Sequence, residues 1–98
     1  MEITKKKTDT KLSIAISGRL DTTTASQLEA ELKVSLPGIT ELEIDMANLD
    51  YISSAGLRVL LSTQKLMNQQ GKMVIRNVKP DIMEVFEMTG FSDILTIA

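Results

Sequence analysis

One stretch, residues 49–61 (LDYISSAGLRVLL), joins a predicted strand to a predicted helix and carries two serines and a glycine at the junction. Before it, apolar and acidic residues alternate over 42–46, which is typical of a strand. After it, polar residues recur at helical spacing and leave the rest of the helix largely apolar; they are Arg58, Ser62, Lys65 and Gln69. The serines are therefore expected at a helix N-terminus, where backbone N–H groups are unpaired and the helix dipole favours negative charge.

The two serines, Ser53 and Ser54, have two interpretations. A capping serine accepts a backbone N–H bond and contributes on the order of 1 kcal/mol, and such caps are common. A phosphorylated serine would add about −1.5 to −2 charge, which a helix N-terminus can hold without unfolding. Because the serines are adjacent, Ser53 can be the cap while Ser54 displays its hydroxyl on the first turn. Gly56 is interpreted as clearance for close contact by a partner.

The pattern along the chain predicts one α/β domain, residues 1–98, with three to four helices on a mixed sheet of parallel inner strands and an antiparallel edge strand. Strands separated by helices normally pair in parallel through right-handed crossovers, whereas the first two strands are close enough to form a hairpin. The strands are expected at 2–7, 11–18, 41–46, 72–77 and 94–97. The first helix is expected to end at Pro37-Gly38, the second to span 54–70, and the third to extend from Pro80 to Gly90.

The start of the first helix has several candidate caps, because Asp21 is followed by three threonines. Any of these four residues can accept a backbone N–H bond. Thr24 followed by Gln27 fits a capping box. We expect one of these four residues to cap the helix, with the apolar stripe formed by Ala25, Leu28, Leu32 and Leu36.

Composition disfavours several classes of function. The net charge is −2, from 11 basic and 13 acidic residues, which argues against a protein that binds nucleic acid directly. Cys and His are absent, so a Ser-His-Asp triad within the chain is excluded and a transition-metal site is disfavoured. Ser54 and Lys65 are too far apart on one helix for a Ser-Lys pair, at about 1.5 Å rise per residue. We expect no enzymatic activity, no cofactor and no metal.

Three features that the sequence lacks bear on the cellular location of the protein. No stretch approaches the length of a transmembrane helix, and the first residues lack an apolar signal region. The absence of Cys fits a reducing compartment. We therefore expect a cytoplasmic protein without membrane insertion.

Four segments, in order along the chain, resemble those of STAS domains, and the nearest group is the bacterial anti-sigma factor antagonists. Residues 51–57 (YISSAGL) resemble the phosphorylation-site segment of that group, aromatic-x-Asp-Ser-Ser/Ala-Gly-Leu. The other segments are residues 18–21 (GRLD) with Thr24-Ala25, then Gly71-Lys72 before a strand, and residues 85–91 (VFEMTGF). The resemblance covers nearly the whole chain. One departure is Ser53, which stands where the family usually has Asp.

This resemblance implies a STAS fold and an anti-sigma factor antagonist. Unmodified, such a protein binds a serine-kinase anti-sigma factor and releases the sigma factor; the kinase then phosphorylates it, and a PP2C-type serine phosphatase reverses the step. The implied phosphorylation site is Ser54, with Ser53 as the second candidate. The expected partner-binding residues are Asp21, Thr22, Ser53, Ser54, Ala55, Gly56 and Arg58. Asp21 thus has two interpretations, as a helix cap and as a recognition residue.

A second hypothesis belongs to a different functional class. The chain would then be an unphosphorylated STAS module that acts as a structural subunit of a transporter or signalling assembly. Both hypotheses use the same fold, so the fold does not choose between them.

Overall fold

The computed structural model describes residues 1–98, in which helices and strands alternate after an initial pair of strands. The strands are β1 (Glu2–Thr8), β2 (Lys11–Leu20), β3 (Glu41–Ile52) and β4 (Lys72–Arg76). The helices are α1 (Thr22–Ser35), α2 (Ser54–Gln70) and α3 (Pro80–Met88), followed by a short 3-10 helix at Phe91–Asp93. Each strand from β2 onward is thus followed by one of the three α-helices.

The four strands form one sheet in the order β1-β2-β3-β4. β1 pairs with β2 in antiparallel orientation, from Glu2 opposite Ser17 to Thr8 opposite Lys11. β2 pairs with β3, and β3 with β4, in parallel orientation. The predicted α/β class is therefore confirmed, as is the mixed sheet with parallel inner strands and an antiparallel edge strand.

One face of the sheet is buried beneath the helices. The apolar side chains of β2 on this face are at most 2% exposed, whereas the alternate residues Ser13, Ala15 and Ser17 are partly exposed. Leu28 of α1, Leu60 of α2 and Phe86 of α3 are fully buried in the same apolar cluster. Because each such side chain contributes roughly 1.5–3 kcal/mol on burial, the core holds the helices firmly on the sheet.

The two central strands are longer than the sequence predicts. β3 continues to Ile52 instead of ending at Met46, and its buried residues change from every second position to every third, at Met46, Leu49 and Ile52. β2 continues through Gly18, whose φ is +85°, to Leu20. The pairing register between the two strands shifts twice along this region, which is typical of β-bulges. The bulges interrupt the alternation, so the pattern alone ended both strands too early.

The predicted last strand, 94–97, is wrong. Only one bridge forms there, between Ile75 and Ile97 in parallel orientation. Two hydrogen bonds accompany it, from the Ile75 N–H to the Thr96 carbonyl at 2.9 Å and from the Ala98 N–H to the Ile75 carbonyl at 3.0 Å. Because the preceding residues form the 3-10 helix, the chain meets the edge of β4 only at its end.

Candidate functional site

The N-termini of α1 and α2 lie side by side at the end of the sheet. Leu20 and Ile52 are partners in the β2–β3 register, and each is the last residue of its strand. The Ser53 N–H then donates a hydrogen bond of 2.8 Å to the Leu20 carbonyl. Both helices start within two residues of this pair, so both positive dipole ends belong to one surface. We call this surface, formed by residues 19–24 and 50–58, the switch edge.

At the start of α2, the two serines have different roles. Ser53 is the N-cap, and its hydroxyl oxygen accepts a hydrogen bond of 3.2 Å from the Gly56 N–H. Ser54 is the first residue of the helix, is exposed, and forms no side-chain hydrogen bond within the chain. The expected capping role of Ser53 is confirmed, and the Ser54 hydroxyl is free for a partner.

At the start of α1, Asp21 is the N-cap. Its Oδ1 accepts hydrogen bonds from the Thr23 N–H at 3.0 Å and the Thr24 N–H at 3.1 Å. In return, the Asp21 N–H donates to the Thr24 hydroxyl at 2.8 Å, which completes a capping box. The predicted box of Thr24 with Gln27 is wrong, because the helix starts two residues before Thr24 and makes Thr24 its third residue.

These contacts keep the Asp21 carboxyl ionised. The hydrogen bond from the Thr24 N–H is the main cause that lowers the pKa of Asp21 below its ordinary value, with further bonds from the Thr24 hydroxyl and the Thr23 N–H. The nearby charge of Arg19 lowers the pKa in the same direction, whereas partial desolvation opposes the shift. The switch edge therefore holds an ionised carboxylate at the start of α1.

Three of the expected partner-binding residues line one pocket between α1 and α2. This pocket has a volume of about 390 Å³ and is lined by Thr22, Ala25, Ser26, Glu29, Ala55, Arg58, Val59 and Ser62. Thr22 and Arg58 are exposed, and Ala55 is partly exposed. The structure thus brings Thr22 of α1 together with Ala55 and Arg58 of α2, next to Asp21 and Ser54.

Gly56 does not have the role that the sequence suggested. It is buried, and a Cβ atom added to it would lie 2.8 Å from Leu20 Cγ and 2.9 Å from Ile52 Cγ1. These atoms belong to the core beneath the helix rather than to the outer surface. The interpretation of Gly56 as clearance for a partner is therefore wrong; the glycine allows α2 to pack closely on the ends of β2 and β3.

Two further contacts at the switch edge were not expected from the sequence. The Arg19 guanidinium lies over the Tyr51 ring, 4.0 Å from its centroid, and Tyr51 is 39% exposed. Lys79, the residue before α3, forms an ion pair of 2.7 Å with Asp50. Both pairs join residues that are about thirty positions apart in the chain. The register between β2 and β3 sets Arg19 opposite Tyr51, whereas Lys79 lies outside the strands.

The acidic residues near the junction have protein partners. Asp50 pairs with Lys79, while Asp45 accepts hydrogen bonds from the Ala47 N–H at 2.9 Å and the Asn77 side-chain amide at 3.2 Å. No group of three or more acidic, His or Cys residues is placed to hold a metal ion. None of the three helices combines the length and the apolar character needed to cross a membrane.

The chain belongs to the STAS domain family, because the model of that family matches residues 2–98. BtrV of Bordetella bronchiseptica, provisionally named an anti-sigma factor antagonist, is 42% identical over 100 aligned residues that cover all of this chain and 86% of BtrV. An anti-sigma-B factor antagonist of Listeria monocytogenes is 33% identical over 100 aligned residues, which cover 99% of this chain and 86% of that protein.

Solved structures show the same fold. The anti-sigma factor antagonist SpoIIAA in its unphosphorylated form matches with a TM-score of 0.85 over 99% of this chain and 88% of SpoIIAA, at 19% identity. The phosphorylated form of SpoIIAA from Bacillus matches with a TM-score of 0.77 over 99% of this chain and 91% of that one, also at 19% identity. The arrangement of helices on the mixed sheet is therefore the SpoIIAA-like STAS fold.

The packing of Gly56 can be tested by Gly56→Ala. Alanine has the better helix propensity by up to about 1 kcal/mol, yet its methyl group would overlap Leu20 and Ile52. Overpacking of this kind costs about 1–3 kcal/mol, so we expect lower stability in urea unfolding. Gln69→Ala, at an exposed position of the same helix, is the matched control and should change stability by no more than about 0.5 kcal/mol. A Gly56→Ala variant as stable as the control would contradict this role.

The charge on Asp21 predicts a dependence of stability on pH. The pKa of Asp21 is lower in the folded chain than in the unfolded chain, so its ionised carboxylate stabilises the fold. This stabilisation is fully present above the unfolded-state pKa of about 3.9 and is lost as pH falls through the folded-state pKa. Asn also caps helices but does not titrate. The difference in urea midpoint between wild type and Asp21→Asn should therefore be largest near neutral pH and shrink below about pH 4. A difference in midpoint that is independent of pH would show that the charge of the Asp21 carboxylate does not stabilise the fold.

Proposed function

We propose that this protein is an anti-sigma factor antagonist whose switch edge binds a serine-kinase anti-sigma factor and is switched by phosphorylation of Ser54. Unmodified, it would occupy the kinase and free the sigma factor. After phosphorylation the complex would separate, and a PP2C-type serine phosphatase would restore the binding form. Membership of the STAS family and the names of BtrV and the Listeria relative support this function.

The observation that carries the proposal is the free hydroxyl of Ser54. Ser53 satisfies the helix as its cap, so Ser54 is not needed for capping and lies exposed on the first turn. A kinase can therefore reach the Ser54 oxygen without unfolding the helix. Ser53 is partly buried, and its oxygen is already hydrogen-bonded, which makes it the weaker candidate.

In the proposed phosphorylation, the Ser54 oxygen attacks the terminal phosphorus of ATP bound to the kinase. The bond from that phosphorus to the bridging oxygen breaks, ADP leaves, and the serine proton passes to a base on the kinase. Hydrolysis by the phosphatase returns the serine and releases inorganic phosphate. This chain supplies only the hydroxyl and its position, and we propose no catalytic activity of its own and no bound cofactor.

The phosphate would be tolerated by the domain but not by the complex. On the domain, it lies at the positive end of α2, where an anion is favourable. In the complex, about two negative charges would be added to a contact surface that already holds the ionised Asp21. Repulsion and desolvation can then cost several kcal/mol, and every 1.4 kcal/mol is about tenfold in affinity. The switch therefore requires no change in the shape of the domain.

The proposed contacts of the kinase are exposed and partly exposed residues of the switch edge. Asp21 and Thr22 present the start of α1, and Ser54, Ala55 and Arg58 present the start of α2. Ser53 and Gly56 shape this surface from beneath, through their hydrogen bond and through packing. We further propose that the protein acts in the cytoplasm, where a sigma factor works.

Two substitutions of Ser54 test the switch. Ser54→Ala should bind the serine-kinase anti-sigma factor of the same organism with nearly wild-type affinity and accept no phosphate. Ser54→Asp places a negative charge at the site and should bind at least about tenfold more weakly. Titration calorimetry measures the affinities, and intact-protein mass spectrometry after incubation with the kinase and ATP measures phosphate incorporation.

The matched control is Ser53→Ala. This variant loses the cap and about 1 kcal/mol of stability, but it should still take one phosphate. If Ser54→Ala took phosphate as readily as wild type, or if the Ala and Asp variants bound the kinase equally well, the proposed switch would be wrong.

A further inference from the structure

We propose that Arg58 senses the state of Ser54: it binds an acidic group of the kinase partner when Ser54 is unmodified, and it pairs with the phosphate when Ser54 is modified. This inference rests on the proposed function of the switch edge. It adds a second effect of the phosphate, because the modification would remove a cation that the partner needs as well as adding negative charge.

Arg58 is the one arginine of the chain without a partner. Arg76 forms an ion pair of 3.2 Å with Glu43, and Arg19 lies over the Tyr51 ring. Arg58 is exposed and forms no hydrogen bond, ion pair or ring contact, although it lines the same pocket as Glu29. The Arg58 guanidinium, a planar cation with five N–H donors, is thus unpaired at a proposed contact surface. Its geometry suits a carboxylate or a phosphate.

The spacing between Ser54 and Arg58 places them on the same side of α2. Both residues belong to one continuous helix, four positions apart, and side chains at this spacing are neighbours. A phosphate on Ser54 can therefore be reached by the Arg58 guanidinium with two parallel N–H···O bonds. No other cation of α2 is within this spacing of Ser54, since Lys65 is eleven positions further along the helix.

Arg58 cannot pair with a carboxylate of the kinase and with the phosphate on Ser54 at the same time. In the unmodified chain, Arg58 lines the pocket between α1 and α2, where a carboxylate of the kinase can meet its guanidinium. After phosphorylation, the phosphate is tethered next to Arg58 and competes at high effective concentration. The kinase then meets a surface that has gained negative charge and lost its available positive charge.

Binding of the kinase by four forms of the full chain tests this inference. These are wild type and Arg58→Gln, each without phosphate and with phosphoserine incorporated at position 54 during translation. We expect Arg58→Gln to weaken binding of the unmodified chain about tenfold. We expect the phosphate to weaken binding of wild type about a hundredfold but that of Arg58→Gln only about tenfold, because there is no longer a cation to capture. Lys65→Gln is the control and should behave as wild type in both states.

If the phosphate acts by repulsion alone, without pairing with Arg58, the result should differ. The phosphate would then weaken kinase binding of Arg58→Gln as much as that of wild type, or more, because no arginine neutralises the phosphate in the variant. A phosphate effect in Arg58→Gln that equals or exceeds the effect in wild type would therefore overturn the proposal.

A second measurement needs no partner. The Arg58 side-chain N–H signal in NMR spectra of the isolated chain should shift when Ser54 carries phosphate, and the Arg19 and Arg76 signals should shift less. An unchanged Arg58 signal would overturn the pairing. If wild type failed to bind the kinase at all, the proposed function would fail, while this measurement would still decide whether Arg58 captures the phosphate.

Discussion

The hydrogen bond from the Ser53 N–H to the Leu20 carbonyl fixes the relation between the two helices on which the site depends. It follows directly on the pairing of Leu20 with Ile52, and both of those side chains are buried, at 0% and 6% exposure. The start of α2 is thus held against the start of α1 by the core itself. Buried Gly56 completes the arrangement, because any larger residue would separate the first turn of α2 from Leu20.

The N-caps of α1 and α2 differ in charge, and the neutral cap lies next to the serine that we propose is phosphorylated. α1 is capped by a carboxylate that stays ionised, whereas α2 is capped by the neutral hydroxyl of Ser53. The family segment usually has Asp at the position of Ser53. With serine there, neither the cap nor the first turn of α2 carries an acidic residue, and a phosphate on Ser54 would add the first negative charge to that turn.

The sequence predicted the fold and put the candidate site at the start of α2, but it did not predict how the surface around that candidate site is built. The order of helices and strands, the Ser53 cap and the exposed Ser54 follow from local rules, namely hydrophobic periodicity and cap preference. The extension of β3 to Ile52, the contact of Arg19 with Tyr51 and the packing of Gly56 depend on the register between β2 and β3. That register contains bulges, which single-sequence patterns do not indicate. Gly56 shows the difference most clearly, because its sequence neighbours are the surface serines and its spatial neighbours are core side chains.

A domain held this firmly has limited means of signalling. The core joins all three helices to one face of the sheet, and the first turns of α1 and α2 are fixed by caps and by the bond between Ser53 and Leu20. Under the proposed function, a charge on Ser54 would therefore be read by a partner in direct contact with the switch edge. Specificity would then belong to the exposed side chains of the switch edge. This separation explains how proteins that share only about a fifth of their residues with this chain can share its fold and still differ in the side chains on its surface.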